Sequence, residues 1–282
     1  MLDFIVLDIS YIDRDFLLNL PFLDFKTVVS LKTGETKEKK VAIFFGLKII
    51  LYQSKAFIKG SVHKAYNLLS EGGRAHNCND FNHTSFVTVI SLLRDKLTVD
   101  PTITRLGTLE FGVNICVPIS ATTIIENHFF CYKFLSGPEE NKNFGKKGKY
   151  KKYAATQFQI KAYDKSRHCE MDTFVLRIEL KTLKAQHTQR LNIFTLANLL
   201  EKGAMHQLGE ELIKRICEIL ILDEYNYKAS PEFWIMLKAI TKPRTFLRRR
   251  KEYLEEMEAG HQFQMKKDIL NRVSSKLSEL IN

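Results

Sequence analysis

The chain has 282 residues, 45% of them hydrophobic and 20 of them Phe, which is enough apolar matter for a sizeable core and too much for a disordered chain. Lys and Arg number 43 against 32 Asp and Glu, a formal net charge of +11 that points to a polyanionic partner, nucleic acid before a membrane. The five scattered cysteines form no CxxC pair, so neither a disulfide framework nor a zinc ribbon is indicated, and a reducing, cytoplasmic setting fits.

The opening MLDFIVLDIS is apolar on both faces and reads as a central strand. It carries Asp3 and Asp8 and lacks a basic leader, so it is not read as a signal peptide. No apolar run is long enough to span a bilayer. Residues 11–40 are mixed and end in the charged run KTGETKEKK, an expected loop. VAIFFGLKIILYQ (41–53) is strand-like, with Gly46 as a bulge or turn. KAFIKGSVHKAYN (55–67) alternates, setting Lys59, Ser61, His63 and Asn67 against Ile58, Val62 and Tyr66, and is expected to be a strand. A polar loop follows, then a helix over about 84–97, capped by Thr84, with Phe86, Val89, Ile90, Leu93 and Leu97 on one stripe.

ITRLGTLEFGVNICVP (103–118) is the next strand, with Leu109, Phe111, Val113 and Ile115 packed and Thr108, Glu110 and Asn114 opposite. Ser120 is placed to cap a helix over 121–133. The loop 137–152 holds six lysines: Lys142, Lys146, Lys147, Lys149, Lys151 and Lys152. Two alternating strands joined by a short polar turn then run from Gln157 to Lys181. In the first, Phe158, Ile160 and Ala162 oppose Gln159, Lys161, Tyr163 and Lys165; in the second, Phe174, Leu176, Ile178 and Leu180 face the core, leaving Arg177, Glu179 and Lys181 on the open side. Beyond Lys181 the period is helical to Asn282, broken at Pro231 and Pro243.

Three strands therefore offer polar faces: Glu110 with Asn114, Tyr163 with Lys161 and Lys165, and Glu179 with Arg177. As sheet neighbours they would converge. Grouped carboxylates hold Mg²⁺ or Mn²⁺ through hard oxygen ligands. Cations beside a tyrosine favour its phenolate and so its attack on phosphorus. The competing reading pairs Glu110 and Glu179 with Arg177 and Lys161 as cross-strand ion pairs. No phosphate-binding glycine loop supports an ATPase, and no GxSxG or Cys/His set supports a serine or cysteine hydrolase.

The segments MLDFIVLDISYID, GSVHKAYN, LEFGVNI, KAYDK and LRIELK, in this order over about residues 1–185, resemble rolling-circle replication initiators of the filamentous-phage gene II protein type. More distantly they are similar to the replication initiation factor group of plasmid initiators and relaxases. KAYDK followed by LRIELK is the most specific pair. The resemblance implies a metal-dependent nickase that cleaves one strand at a rolling-circle origin, stays joined to the 5′ phosphate through tyrosine and frees a 3′-OH. It puts Tyr163 in the nucleophile position, with Lys161 and Lys165 beside it, and gives Glu110, Glu179 and Asp8 to Mg²⁺ or Mn²⁺. The paired histidines of better-known initiators are absent, and His63 stands alone.

The expected architecture is α+β: an antiparallel sheet of about five to six strands with helices on one face, then a basic helical C-terminal region. Residues 1–185 would nick, and residues 186–282 would bind DNA or assemble. Lys146, Lys147, Lys149, Lys151, Lys152, Arg177, Arg248, Arg249 and Arg250 would hold phosphates of single-stranded or supercoiled origin DNA, and a host helicase and polymerase would act with the protein. The rivals are a conjugative relaxase with the same chemistry and a non-catalytic nucleic-acid-binding protein.

Overall fold

The structure is a computed structural model that describes residues 1–29, 36–70, 74–141 and 148–282. The chain forms β1 (Leu2–Asp8), α1 (Arg14–Leu18), β2 (Lys26–Val29), β3 (Thr36–Phe44), β4 (Leu47–Leu51), β5 (Ala56–Ser61), α2 (Val62–Ser70) and α3 (His83–Leu97). It continues with β6 (Arg105–Cys116), α4 (Ala121–His128), β7 (Phe129–Tyr132), β8 (Glu139–Glu140), β9 (Tyr150–Ala154), β10 (Phe158–Asp164), α5 (Lys165–Cys169) and β11 (Val175–Thr182). The remainder is α6 (Ala185–Gln189), α7 (Leu196–Leu200), α8 (Lys202–Cys217), β12 (Ile219–Ile221), α9 (Pro231–Ile240), α10 (Pro243–Ala259) and α11 (Gln264–Ile281). The fold is α+β; among the described residues a sheet of ten strands runs in the order β2-β3-β4-β5-β1-β6-β11-β10-β9-β8, with a separate β12-β7 pair. Among the described residues no helix is long and apolar enough to cross a membrane.

The chain divides into two compact units that interleave along the sequence. One comprises Met1–Gly112, Lys181–Leu208 and Leu280–Asn282; the other comprises Val113–Leu180 and Gly209–Glu279.

In the first unit β1 pairs antiparallel with β5 and with β6, the central place its two apolar faces require. Leu7, Ile58, Ile49 and Ala42 lie opposite one another across β1, β5, β4 and β3, and all are buried. Val6, Lys59, Lys48 and Ile43 form the next row and face the other way, as the two-residue period demands. Helix α2 packs on β1 and on α3. The expected α3 stripe of Phe86, Val89, Ile90, Leu93 and Leu97 is buried.

In the second unit α4 packs on β10 and β9. A separate core gathers Phe134, Trp234, Phe246, Tyr253 and Met257 with Cys131, Leu220 and Leu222. Trp234 is its centre, edge-on to Phe134 at 4.8 Å and to Tyr253 at 5.3 Å, with its indole N–H donating to the Lys228 carbonyl. Burial pushes the Cys131 thiol up to about 12, so it behaves as an apolar group here. Pro231 and Pro243 begin α9 and α10, where a missing N–H costs nothing.

Several expectations are corrected. The sheet has ten strands because the charged run read as a loop is strand from Thr36 onward, and because 41–53 is a hairpin. Its turn, Phe45–Gly46, has positive φ at both residues (45° and 76°), which matches the twist of flanking strands. GSVHKAYN is not one strand. β5 ends at Ser61, whose Oγ accepts from the Lys64 amide at 3.1 Å and starts α2, so His63 lies buried on a helix. The cap of α3 is Asn82, accepting from the Ser85 amide at 2.9 Å, rather than Thr84. The helix after Ser120 stops at His128, and its expected last turn is β7. The helical half contains β12. Phe174, expected in the core, precedes β11 and is 47% exposed.

Ser61 serves two elements, since its hydroxyl also bonds the buried Asp3 carboxylate. Ser61→Ala should destabilise the protein by about 1–2 kcal/mol, read from the urea midpoint. An unmoved midpoint would remove the cap from the account of α2.

Candidate functional site

The three strands with polar faces are adjacent, in the order β6-β11-β10. In the second unit β10 alternates as its sequence requires: Phe158, Ile160, Ala162 and Asp164 are buried, while Gln159, Lys161 and Tyr163 are half-buried on the other face. β9 pairs antiparallel with β10, setting Tyr150 opposite Tyr163 and Lys152 opposite Lys161. The Lys161 ammonium lies 4.7 Å from the Tyr163 ring centre and 4.8 Å from that of Tyr150, a cation held between two aromatic faces. The Lys165 ammonium is 6.0 Å from the Tyr163 ring, and the His168 ring stands edge-on to it at 6.5 Å. Tyr163 is thus flanked by two cations and two further rings.

Lys165 reaches Tyr163 by a route the alternation did not predict. It is the first residue of α5, not a strand residue, and it is buried. The strand ends because the Asp164 side chain caps α5, accepting from the Arg167 amide at 3.1 Å, the Ser166 hydroxyl at 2.6 Å and the Thr122 hydroxyl at 2.7 Å. Burial by itself would raise the Asp164 pKa. The hydrogen bonds from Ser166, Thr122 and the Arg167 amide, with the Arg167 charge, outweigh it and hold the carboxyl below the usual range. Beside this corner a cavity of about 600 Å³ is lined by Ser120, Asp164, Ser166, Arg167, Met171 and Phe174.

On β11 the Arg177 guanidinium is 3% exposed, pairs with Glu179 at 2.9 Å and donates to Asn114 Oδ1 on β6 at 3.1 Å. Arg177 is therefore a buried positioning group and not an exposed phosphate contact, as had been expected. In the first unit Glu110 pairs with Lys181 at 2.6 Å, and the Lys181 ammonium also stands 5.2 Å over the Phe4 ring. Asp8 accepts from the amide and hydroxyl of Ser10. Asp3 accepts from Asn77 and Ser61, and His63 bonds Asn79 at 2.7 Å while stacking on Phe81. Glu110 and Glu179 stand in ion pairs, the ordinary alternative for carboxylates on a sheet face. Among the described residues no three His, Cys, Asp or Glu side chains gather as a cation site, so the residues as placed do not form a cage for Mg²⁺ or Mn²⁺.

The lysine-rich loop is less open than its sequence implied. Lys142, Lys146 and Lys147 lie outside the described residues. Lys151 is buried, donating to the carbonyls of Phe129 at 2.6 Å and Glu126 at 3.2 Å and pairing with Glu140; burial lowers its pKa. It is a structural lysine, not a phosphate contact. Lys149 pairs with Glu126 and Glu140, and Lys152 with Glu139 at 2.6 Å. Arg248 and Arg249 are exposed beside Glu252, whereas the Arg250 guanidinium lies 4.7 Å over the Phe134 ring.

Tyr150 and His168 were not singled out from the sequence. Tyr150 had a signal: TyrLysLysTyr and LysAlaTyr mirror each other about the 155–157 turn, the spacing of a hairpin that pairs 150 with 163. His168 had none, because only the α5 turn brings it back to the ring.

No protein-family model matches the sequence, and no curated protein matches it. Among solved structures, the rolling circle replication initiator protein from Geobacillus stearothermophilus is similar at 13% identity, with 78% of this chain and 84% of that chain covered and a TM-score of 0.44.

Asp164→Asn should lower stability at neutral pH. The folded carboxyl titrates below its unfolded value of about 3.9, so its contribution is fully present above that pH and is lost as pH falls through the folded value. Melting temperatures of wild type and variant should differ near pH 7 and converge in acid; a constant gap would separate Asp164 charge from the corner.

Proposed function

We propose that this chain initiates rolling-circle replication by nicking and rejoining one DNA strand, with Tyr163 as nucleophile. The observation that carries the reading is the proximity of two ammonium groups to the Tyr163 ring, Lys161 at 4.7 Å and Lys165 at 6.0 Å. Cations at that range favour the phenolate, and the half-buried Lys161 ammonium would neutralise a phosphodiester brought against it. In the forward step the Tyr163 Oη gives up its proton to solvent and attacks phosphorus. The P–O3′ bond breaks, the departing oxygen takes up a proton as a 3′-OH, and the 5′ phosphate stays on Tyr163. Attack by a 3′-OH on that phosphotyrosine reverses the sequence and rejoins the strand. Tyr150, across the same lysine, is the internal control, because it stands over the same cation.

Tyr163→Phe should bind origin-type single-stranded DNA yet form no covalent adduct, while Tyr150→Phe should form one. Mass spectrometry for a nucleotide-linked tyrosine decides between them, and an adduct that persists in Tyr163→Phe ends the proposal. Lys161→Gln should slow adduct formation by about tenfold or more, the worth of one close cation of about 1–2 kcal/mol.

The divalent cation is a separate part of the proposal, implied by the family resemblance alone. For Glu110 to hold Mg²⁺ or Mn²⁺ it would first have to leave Lys181. Nicking that continues in EDTA would dispense with the metal and with metal roles for Glu110, Glu179 and Asp8.

A non-catalytic nucleic-acid-binding role is the second reading, favoured by the ion pairs that occupy Glu110 and Glu179. In that case the exposed Arg248 and Arg249, with Lys161, would set a salt slope of roughly 0.7–0.9 log units per contacted phosphate, and no variant would show an adduct. A relaxase of a mobile element would share the tyrosine chemistry and differ in its genetic setting.

A further inference from the structure

Helix α10 carries a run of four cations, and three of them are answered by carboxylates on the same helix. Arg248 and Arg249 reach Glu252, and Lys251 reaches Glu255. Arg250 differs. Its guanidinium lies 4.7 Å over the Phe134 ring, and its Nε is shut off from solvent with no hydrogen-bond acceptor. Among the described residues no carboxylate pairs with it. A buried donor left without an acceptor costs about 1–3 kcal/mol, and a missing anion is one of the few things that accounts for it.

Arg250 stands in the wall of a cavity of about 400 Å³ in the second unit, which Lys133, Lys266, Cys217 and Glu218 also line. Lys266 donates to the Cys217 carbonyl at 2.6 Å and the Ile219 carbonyl at 2.9 Å, which leaves one of its three N–H groups. Lys133 gives one N–H to Glu218 at 3.1 Å and keeps two. Glu218 is the one carboxylate in this wall among the described residues, and it is already held by Arg215 at 2.8 Å and by the Tyr132 hydroxyl. Three cations therefore face a cavity whose single carboxylate has a further cation of its own. Burial lowers the pKa of Lys266, and an anion in the cavity would act in the opposite sense.

The free donors select the ligand. Two N–H groups on Lys133, one on Lys266 and the fork of Arg250 exceed what the two oxygens of a carboxylate take up. They suit a tetrahedral oxyanion of higher charge, for which a guanidinium is the preferred partner. A concave site of this volume encloses one small group, whereas a duplex lays its row of phosphates along an open surface.

We propose that this cavity binds a phosphate group, either free phosphate or the terminal phosphate of a nucleotide, with Arg250 as its anchor and Lys133 and Lys266 as further donors. The inference stands independently of the nicking chemistry, because no residue in it belongs to the Tyr163 site.

Isothermal titration calorimetry of the full chain in phosphate-free buffer tests it, with inorganic phosphate and a nucleoside 5′-monophosphate as the two titrants. Saturable binding of about one phosphate group per chain is expected, and sodium chloride at matched ionic strength should not reproduce it. Arg250→Gln should weaken binding by about tenfold or more, the worth of a charge-assisted hydrogen bond, and Arg250→Lys should recover part of the loss. Lys133→Gln should also weaken it, with unchanged far-ultraviolet circular dichroism because that side chain is half exposed. Exposed Cys217 reports the place: bound phosphate should slow its alkylation by iodoacetamide and leave exposed Cys116, which lies outside the cavity, unchanged. Tighter binding of the monophosphate assigns the group to a nucleotide, and equal or weaker binding assigns it to free phosphate. Absence of saturable binding with both titrants, or affinity unchanged in Lys133→Gln or in folded Arg250→Gln, overturns the proposal. So does protection of Cys116 to the same degree as Cys217.

Discussion

A buried charge must be answered by hydrogen bonds, and at Asp164 this requirement shapes the corner on which the Tyr163 site depends. The carboxylate draws in two hydroxyls and a backbone amide, ends β10 and starts α5. The residue before it is thereby fixed on the outer face of the sheet, and the residue after it is turned back over the same ring. Had the strand continued, Lys165 would have pointed the same way as Tyr163 but stood two residues farther along. The helix brings its ammonium back over the ring and buries the whole side chain.

The carboxylates elsewhere on the sheet are held by a different balance. Glu110 and Glu179 sit opposite Lys181 and Arg177 at hydrogen-bond range and partly out of water. Any cation that displaced them would have to repay the loss of a close pair and leave a stranded ammonium or guanidinium behind. Occupancy and activity would then be coupled to movement of those two basic side chains.

Strand character and facing were legible where alternation was long: β1, β6, β10 and the Leu176–Leu180 part of β11 read correctly, as did the buried stripe of α3. The adjacency of β6, β11 and β10 was only a condition of the sequence reading, and the strand order meets it. What failed was decided by single side chains acting on the backbone. Ser61 and Asp164 each turned an apparently continuous alternating segment into strand then helix, because one oxygen satisfied an amide that a strand would have paired elsewhere. The lysine loop misled for a related reason. Glu126, Glu139 and Glu140, distant or unremarkable in sequence, fold against Lys149, Lys151 and Lys152 and consume their charge. Tyr150 was readable from the mirror symmetry of its hairpin, whereas His168 needed the turn of α5.

The interleaving of the two units bears on how the protein is made. Met1–Gly112 leaves the ribosome early, yet its unit also takes in Lys181–Leu208 and Leu280–Asn282, with the whole of Val113–Leu180 synthesised in between. That middle segment in turn waits for Gly209–Glu279. Neither unit can close while the other is still unmade, so folding is expected to be largely post-translational and slowed by long loop closure. During that interval the half-built sheet presents open edges, the exposure from which partly folded chains associate.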